Sequence, residues 1–126
     1  MKLLLAVALG GAVGAIARFL STDWLARALG TGFPFGTLFV NVVGSFVMAV
    51  IVELLATKLS ASLELRAFLA VGLLGSFTTF SSFSHDVAVL YERGDLLAAG
   101  GYMGASVTIS LLALFSGLWI TRAILA

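Results

Sequence analysis

Residues 75–85 read GSFTTFSSFSH. Five hydroxyl side chains (Ser76, Thr78, Thr79, Ser81 and Ser82) fall between Gly75 and Phe83, interleaved with phenylalanines and closed by the only histidine, His85. The stretch lies inside an uncharged apolar run, residues 67–85. A polar side chain in hydrocarbon is costly unless it has a partner or faces water. Several consecutive ones cannot share one helix face, so a plain lipid-facing helix is a poor host. Irregular backbone is tolerated at membrane depth where it is buried in protein or lines a cavity, and Gly75 permits such a break. The expectation is a third helix broken at its centre, with hydroxyls and freed carbonyls turned to a cavity. The plainer alternative is that each Ser or Thr bonds back to its own helix, which suits one hydroxyl better than five.

The surrounding chain sets the solvent. Its 126 residues are 61% hydrophobic and 10% charged, with a mean hydropathy of +1.17. A soluble domain has about 25% charged residues, and no soluble fold of this length hides so much apolar surface. Uncharged runs at 3–17, 28–52, 67–85 and 96–121, with about 20 residues needed per span, place four transmembrane helices near 3–22, 34–56, 67–91 and 97–123. The chain reads as one all-α membrane domain over 1–126. No ten-residue alternating pattern suggests a barrel. Pro34 suits the first turn of the second helix. MKLLLAVALGGAVGA at the start has the marks of a signal peptide, but no soluble domain follows for export, so the first helix is read as retained. There is no cysteine and the net charge is +1, which excludes thiol chemistry and argues against nucleic acid as a partner.

Four spans put both termini on one side. Lys2, Lys58, Arg66 and Arg122 then face Arg18, Arg27 and Arg93 across the membrane. Four against three is too small a bias to fix an orientation. Either the bias is merely weak, or the chain inserts both ways up and two copies pair antiparallel. Four helices barely enclose a pathway, so any transport role expects an oligomer. Gly10, Gly11 and Gly14 include a G-x-x-x-G that lets helix backbones approach.

Other polar groups fall in compatible places. Phe80 and Phe83 share a helix face, and an aromatic edge offers weak positive potential to an anion; two such rings also serve as ordinary packing. Asn41 lies within the second span and demands a partner. Tyr102, Ser106 and Ser110 recur at i, i+4 and i+8, a hydroxyl stripe down the fourth helix, while Thr108 points elsewhere. A stripe of uncharged donors suits a small, strongly hydrated anion, and interhelical hydrogen bonding accounts for it equally well. Arg18 either draws anions to a mouth or snorkels to the interface, and Glu53 reads as interfacial. His85 and Asp86 are too few for a metal site or hydrolytic triad, and no H-E-x-x-H or nucleophile elbow is present.

These residues resemble the Fluc/CrcB family of fluoride channels along nearly the whole chain. The resemblance rests on G-G-x-x-G-x-x-x-R at Gly10, Gly11, Gly14 and Arg18, on GTLFVN at 36–41, and on GSFTTFSSF in the third span. Ser82 stands where the family more often has threonine, and Asp86 where a longer carboxylate is frequent. The resemblance implies an antiparallel dual-topology homodimer with two pores in a cell (inner) membrane. It implies that Phe80 and Phe83 line the pore, that Asn41 donates nearby, and that Ser106, Ser110 and Tyr102 form a polar track with Thr79, Ser81 or Ser82. It also implies Arg18 at a vestibule, and a structural sodium ion at the dimer centre held by the Gly75 and Thr78 carbonyls. The implied activity is passive export of cytoplasmic fluoride, protecting against its toxicity. No enzymatic activity is expected, and no phosphate-binding loop is found. Two other classes compete. A small multidrug-type exporter needs a membrane-embedded carboxylate, which the first helix lacks. A non-transporting membrane assembly protein accepts polar residues as helix glue but leaves Asn41 and the Phe-x-x-Phe pair without a reason.

Overall fold

The structure, a computed structural model, describes residues 1–57 and 60–126; Lys58, one of the charges weighed above, lies outside them. Six α-helices run in chain order: α1 (Lys2–Leu29), α2 (Phe35–Thr57), α3 (Leu63–Arg66), α4 (Gly75–Phe77), α5 (Phe80–Glu92) and α6 (Leu96–Leu125). A π-helical stretch, Ala67–Leu74, joins α3 to α4. Lys2–Leu29, Phe35–Thr57, the combined unit Leu63–Glu92 and Leu96–Leu125 are each long and apolar enough to cross a membrane. They overrun the apolar stretches at several ends because a helix does not stop at the edge of hydrocarbon.

Local sequence explains where the helices begin and end. Gly30 closes α1 with a positive φ of 84°, its N–H bonded to the Ala26 carbonyl. Pro34 sits one residue ahead of α2 rather than inside its first turn, and its carbonyl accepts the Leu38 N–H at 3.3 Å. Ser62, Thr79 and Asp95 cap α3, α5 and α6, each side chain accepting a backbone N–H three residues on, as N-cap residues do. Between α4 and α5 two residues are extended: Thr78 at φ −89°, ψ 158° and Thr79 at φ −154°, ψ 118°.

Helix packing depends on missing side chains. A Cβ on Gly10 or Gly14 would run into the Phe68 and Leu73 carbonyl oxygens of the π-helical stretch. One on Gly72 would lie 2.7 Å from the Val7 oxygen. So α1 and the π-helical stretch touch backbone to backbone. On the other side α2 lies along α6, where a Cβ on Gly117 would fall 2.7 Å from the Phe46 oxygen. Gly44 of α2 is pressed against the Thr78 methyl group, which brings α2 to the extended residues.

A small core of Tyr102, Leu90 and Ala99 ties α5 to α6, with Phe33, Leu38, Phe83 and Val87 around it. Most large apolar side chains point outward instead, among them Leu4, Ile16, Phe19, Val71, Phe115 and Trp119. That inversion is what a lipid solvent demands. Charges cluster near helix ends, with Arg122 Nε 3.0 Å from Glu53 Oε2 and Arg27 3.1 Å from Asp23. Arg66 Nη2 donates to the Leu55 carbonyl at 2.9 Å, satisfying an orphan of the α2 end.

Candidate functional site

The extended residues hold their shape through Asn41. Thr79 N–H donates to Asn41 Oδ1 at 2.8 Å, and Asn41 Nδ2 donates to the Thr79 carbonyl at 3.1 Å. The amide thus pairs with the backbone as a neighbouring strand would. Its second N–H remains. Arg18 of α1 reaches the same region: its Nε donates to the Ser76 carbonyl at 3.0 Å. The arginine is half-buried and anchored to the third span, with the rest of its guanidinium facing a polar cavity.

Asn41 and the Thr79 hydroxyl redirect the backbone donors. Thr79 N–H, which helical geometry would give to the Gly75 carbonyl, goes to Asn41 instead. Ser82 N–H, due to the Thr78 carbonyl, goes to Thr79 Oγ1 at 3.1 Å. Among the described residues neither the Gly75 nor the Thr78 carbonyl accepts a hydrogen bond. Two free carbonyl oxygens per chain match the oxygen donors that hard cations take. No group of three or more His, Asp or Glu side chains suited to a metal occurs among the described residues.

Two cavities flank Thr79. The first, about 390 Å³, is lined by Asn41, Gly44, Ser45, Thr78, Thr79, Phe80, Phe83, Ser106 and Ser110, with Met48, Val107, Leu111 and Leu114 at its apolar margin. Among the described residues no charged side chain lines it. The Phe80 and Phe83 ring centroids are 5.4 Å apart and tilted by 55°, and Phe80 is 77% exposed on the single chain. The Ser106 and Ser110 hydroxyls are buried and have no hydrogen-bond partner among the described residues. A buried hydroxyl left unpaired costs about 1–3 kcal/mol, so both hydroxyls are available as donors to whatever enters the cavity. Other hydroxyls behave differently. Thr78 Oγ1 bonds back to Leu74 O at 3.0 Å and Ser84 Oγ to Phe80 O at 3.0 Å.

The second cavity, about 330 Å³, is lined by Arg18, Thr22, Thr37, Thr79, Ser81, Ser82, His85 and Asp86. Thr79 Oγ1 lies 3.3 Å from Ser81 Oγ at its floor. This chamber carries the charge that the first lacks.

The structure thus gathers Asn41, Thr79, Phe80, Phe83, Ser106 and Ser110 around one cavity, and Arg18, Ser81 and Ser82 around the other. The hydroxyl stripe of α6 divides. Tyr102 is fully buried, packs its ring against Phe83 at a centroid distance of 5.2 Å and a tilt of 47°, and donates to Asp86 Oδ2 at 2.9 Å. Thr37 and the Ser106 hydroxyl lie near the same phenol, the latter without hydrogen-bonding geometry to it. Sequence reading passed over Ser45 and Thr37, although both sit four residues from Asn41 and so share its helix face. Asp86 acquires a partner that spacing alone does not reveal.

Residues 5–118 match the family model described as CrcB-like protein, Camphor Resistance (CrcB). A protein of Chelativorans sp. (strain BNC1) named "Fluoride-specific ion channel FluC" is 60% identical over 122 residues, covering 97% of this chain and 98% of that protein. Proteins of the same name from Rhizobium etli (strain CIAT 652) and Rhodospirillum centenum (strain ATCC 51521 / SW) are each 52% identical, over 118 and 126 residues. The first covers 94% of both chains and the second all of both. Matched end to end at this identity, and by a family model over nine-tenths of its length, the chain belongs to the CrcB family.

Proposed function

We propose that the chain is a passive, fluoride-selective ion channel of a cell inner membrane, not an enzyme. The observation that carries this reading is the pair of buried, unpartnered hydroxyls, Ser106 and Ser110, facing Phe80 and Phe83 across an uncharged cavity. The name shared by relatives at 50–60% identity supports it. Fluoride is a small anion that gives up its water only for other donors. Hydroxyls, the spare Asn41 N–H and the positive edges of the rings supply them without a fixed charge that would trap the ion. Conduction requires sites that bind well enough to admit and weakly enough to release.

The path runs from the polar chamber, where the Arg18 guanidinium raises the local anion concentration, past Ser81 and Ser82 to Thr79, and on between the rings to Ser106 and Ser110. Tyr102 holds the Asp86 carboxylate aside by its hydrogen bond, and its ring backs Phe83. Asn41 fixes the floor by clamping Thr79.

The assembly is an antiparallel, dual-topology homodimer with two pores. The even distribution of positive charge supports insertion both ways up, and the exposure of Phe80 and Gly75 on the lone chain supports a covering partner. The interruption at Thr78 and Thr79 is the mid-membrane break of the third span. The Gly75 and Thr78 carbonyls, free of hydrogen bonds among the described residues, would hold a structural sodium ion together with their counterparts in the second copy. A hard cation there would satisfy the negative ends of those carbonyl dipoles. Export needs no fuel: an inside-negative potential drives an anion outward by about 2.3 kcal/mol per 100 mV. A proton-coupled drug exporter would need a carboxylate in the first cavity, and none lines it.

The test is efflux from liposomes loaded with potassium fluoride or potassium chloride. Fluoride release that requires valinomycin, with chloride retained, is expected; equal release of both anions, or of neither, would refute the reading.

A further inference from the structure

The two unpartnered hydroxyls on α6 face a second helix, and that helix has a donor of its own. Ser45 follows Asn41 by four residues on α2, so the two lie one turn apart on one face. Both line the same cavity as Ser106 and Ser110, which are themselves one turn apart on α6. Gly44 pressed on the Thr78 methyl and Gly117 pressed on the Phe46 carbonyl hold α2 close to both neighbours. The cavity therefore has two polar walls: Asn41 and Ser45 on one, Ser106 and Ser110 on the other. Past them Met48, Leu111 and Leu114 are apolar.

The hydroxyl of Ser45 is also free to act. Thr57, on the same helix, spends its hydroxyl on the Glu53 carbonyl four residues back at 2.7 Å. Thr22 on α1 does the same with Arg18 at 2.9 Å. Among the described residues Ser45 makes no such bond, and the Asn41 amide one turn away keeps only its second N–H free after pairing with Thr79. A desolvated anion held only by Ser106 and Ser110 would be bound from one side and pulled against α6. A donor on the opposite wall balances it, which is what a site meant to release its ion requires.

We infer that Ser45 is a further anion-binding residue of this pore, donating its hydroxyl from α2 to the ion held by Ser106 and Ser110. The inference rests on the channel reading and adds to it a second α2 donor, one turn from the spare Asn41 N–H. One charge-assisted hydrogen bond is at stake, so its removal should slow transfer roughly tenfold.

The experiment compares initial fluoride efflux, valinomycin present, from liposomes holding the full-length wild type, Ser45→Ala, Ser45→Thr, or Ser116→Ala. Ser116 is exposed on α6 and lines neither cavity. Ser45→Ala is expected to lose about tenfold in rate and to need more fluoride for half-maximal flux. Ser45→Thr, which keeps the hydroxyl, and Ser116→Ala are expected to stay within about twofold of wild type. Ser45→Cys keeps the volume with a weak donor and repeats the test should the alanine variant fail to reconstitute; it is expected to be slow. A conducting wild type with Ser45→Ala and Ser45→Cys equally fast overturns the inference and leaves the channel reading standing. A wild type that releases no fluoride overturns both.

Discussion

Replacing Asn41 by alanine removes both hydrogen bonds that hold Thr79 extended, the 2.8 Å bond from the Thr79 N–H and the 3.1 Å bond to its carbonyl. The Thr79 N–H has no helical partner to fall back on, because helical bonding stops at Phe77, whereas the carbonyl sits at the N-cap of α5 and can turn to that helix's first turn. Hydrogen bonds between membrane helices are worth about 0.6 kcal/mol on average, which sets a floor of about 1 kcal/mol for two. An orphaned part-buried group costs about 1–3 kcal/mol, so with the Thr79 N–H left unpaired the expected loss is about 1–3 kcal/mol. Asn41→Asp separates the two halves of the clamp. Its carboxylate still accepts from Thr79 N–H but cannot donate to the carbonyl, and it places a negative charge in the cavity. It should therefore unfold less readily than the alanine variant yet pass no fluoride. The assays are chemical unfolding in detergent, followed by circular dichroism, and amide exchange of the segment holding Thr79. The reasoning fails if Asn41→Ala unfolds within about 0.5 kcal/mol of wild type and the Thr79 amide exchanges no faster.

Five further variants have expected outcomes. Phe80→Ile, at a side chain 77% exposed on the single chain, should leave folding unchanged while abolishing fluoride efflux; Phe83→Ile should abolish it too and also cost about 1 kcal/mol through the lost stack on Tyr102. Gly14→Ala forces a methyl into the Leu73 carbonyl; overpacking against backbone should cost about 3 kcal/mol or more, seen as lost folded protein on size exclusion. Gly100→Ala, with nothing within 4 Å, should be neutral or stabilising by up to about 1 kcal/mol. Arg18→Gln removes the charge-assisted bond to the Ser76 carbonyl; a loss of about 1.5–3 kcal/mol in detergent unfolding should accompany slower fluoride flux.

The apolar spans were legible because lipid imposes one simple demand on composition and length. The need for partners at Asn41 and across residues 76–82 was also legible, since an unpaired polar group in hydrocarbon has no other remedy. Which partner each group takes was not. Asn41 pairs with backbone 38 residues away, and no local spacing encodes that choice. The hydroxyl stripe on α6 was read as one face, yet Tyr102 is long enough to carry its hydroxyl across to Asp86 on α5, while the short Ser106 and Ser110 stay at the cavity. The π-helical stretch Ala67–Leu74 escaped notice because nothing in its sequence departs from an ordinary apolar helix. It lies where Gly10, Gly14 and Gly72 bring two backbones into contact, which is a tertiary fact. Ser45 was hidden by its setting between Gly44 and Phe46, where a lone serine looks like packing until the facing wall is known.

The most direct measurement is the reversal potential of the reconstituted channel in a planar bilayer, with fluoride tenfold higher on one side and potassium equal on both. An ideally fluoride-selective pore reverses about 59 mV from zero, the value for one charge and a tenfold gradient, in the direction that opposes fluoride flow. Reversal at zero, or a current that follows the balancing anion, would contradict fluoride selectivity and with it the roles given to Phe80, Phe83, Ser106 and Ser110.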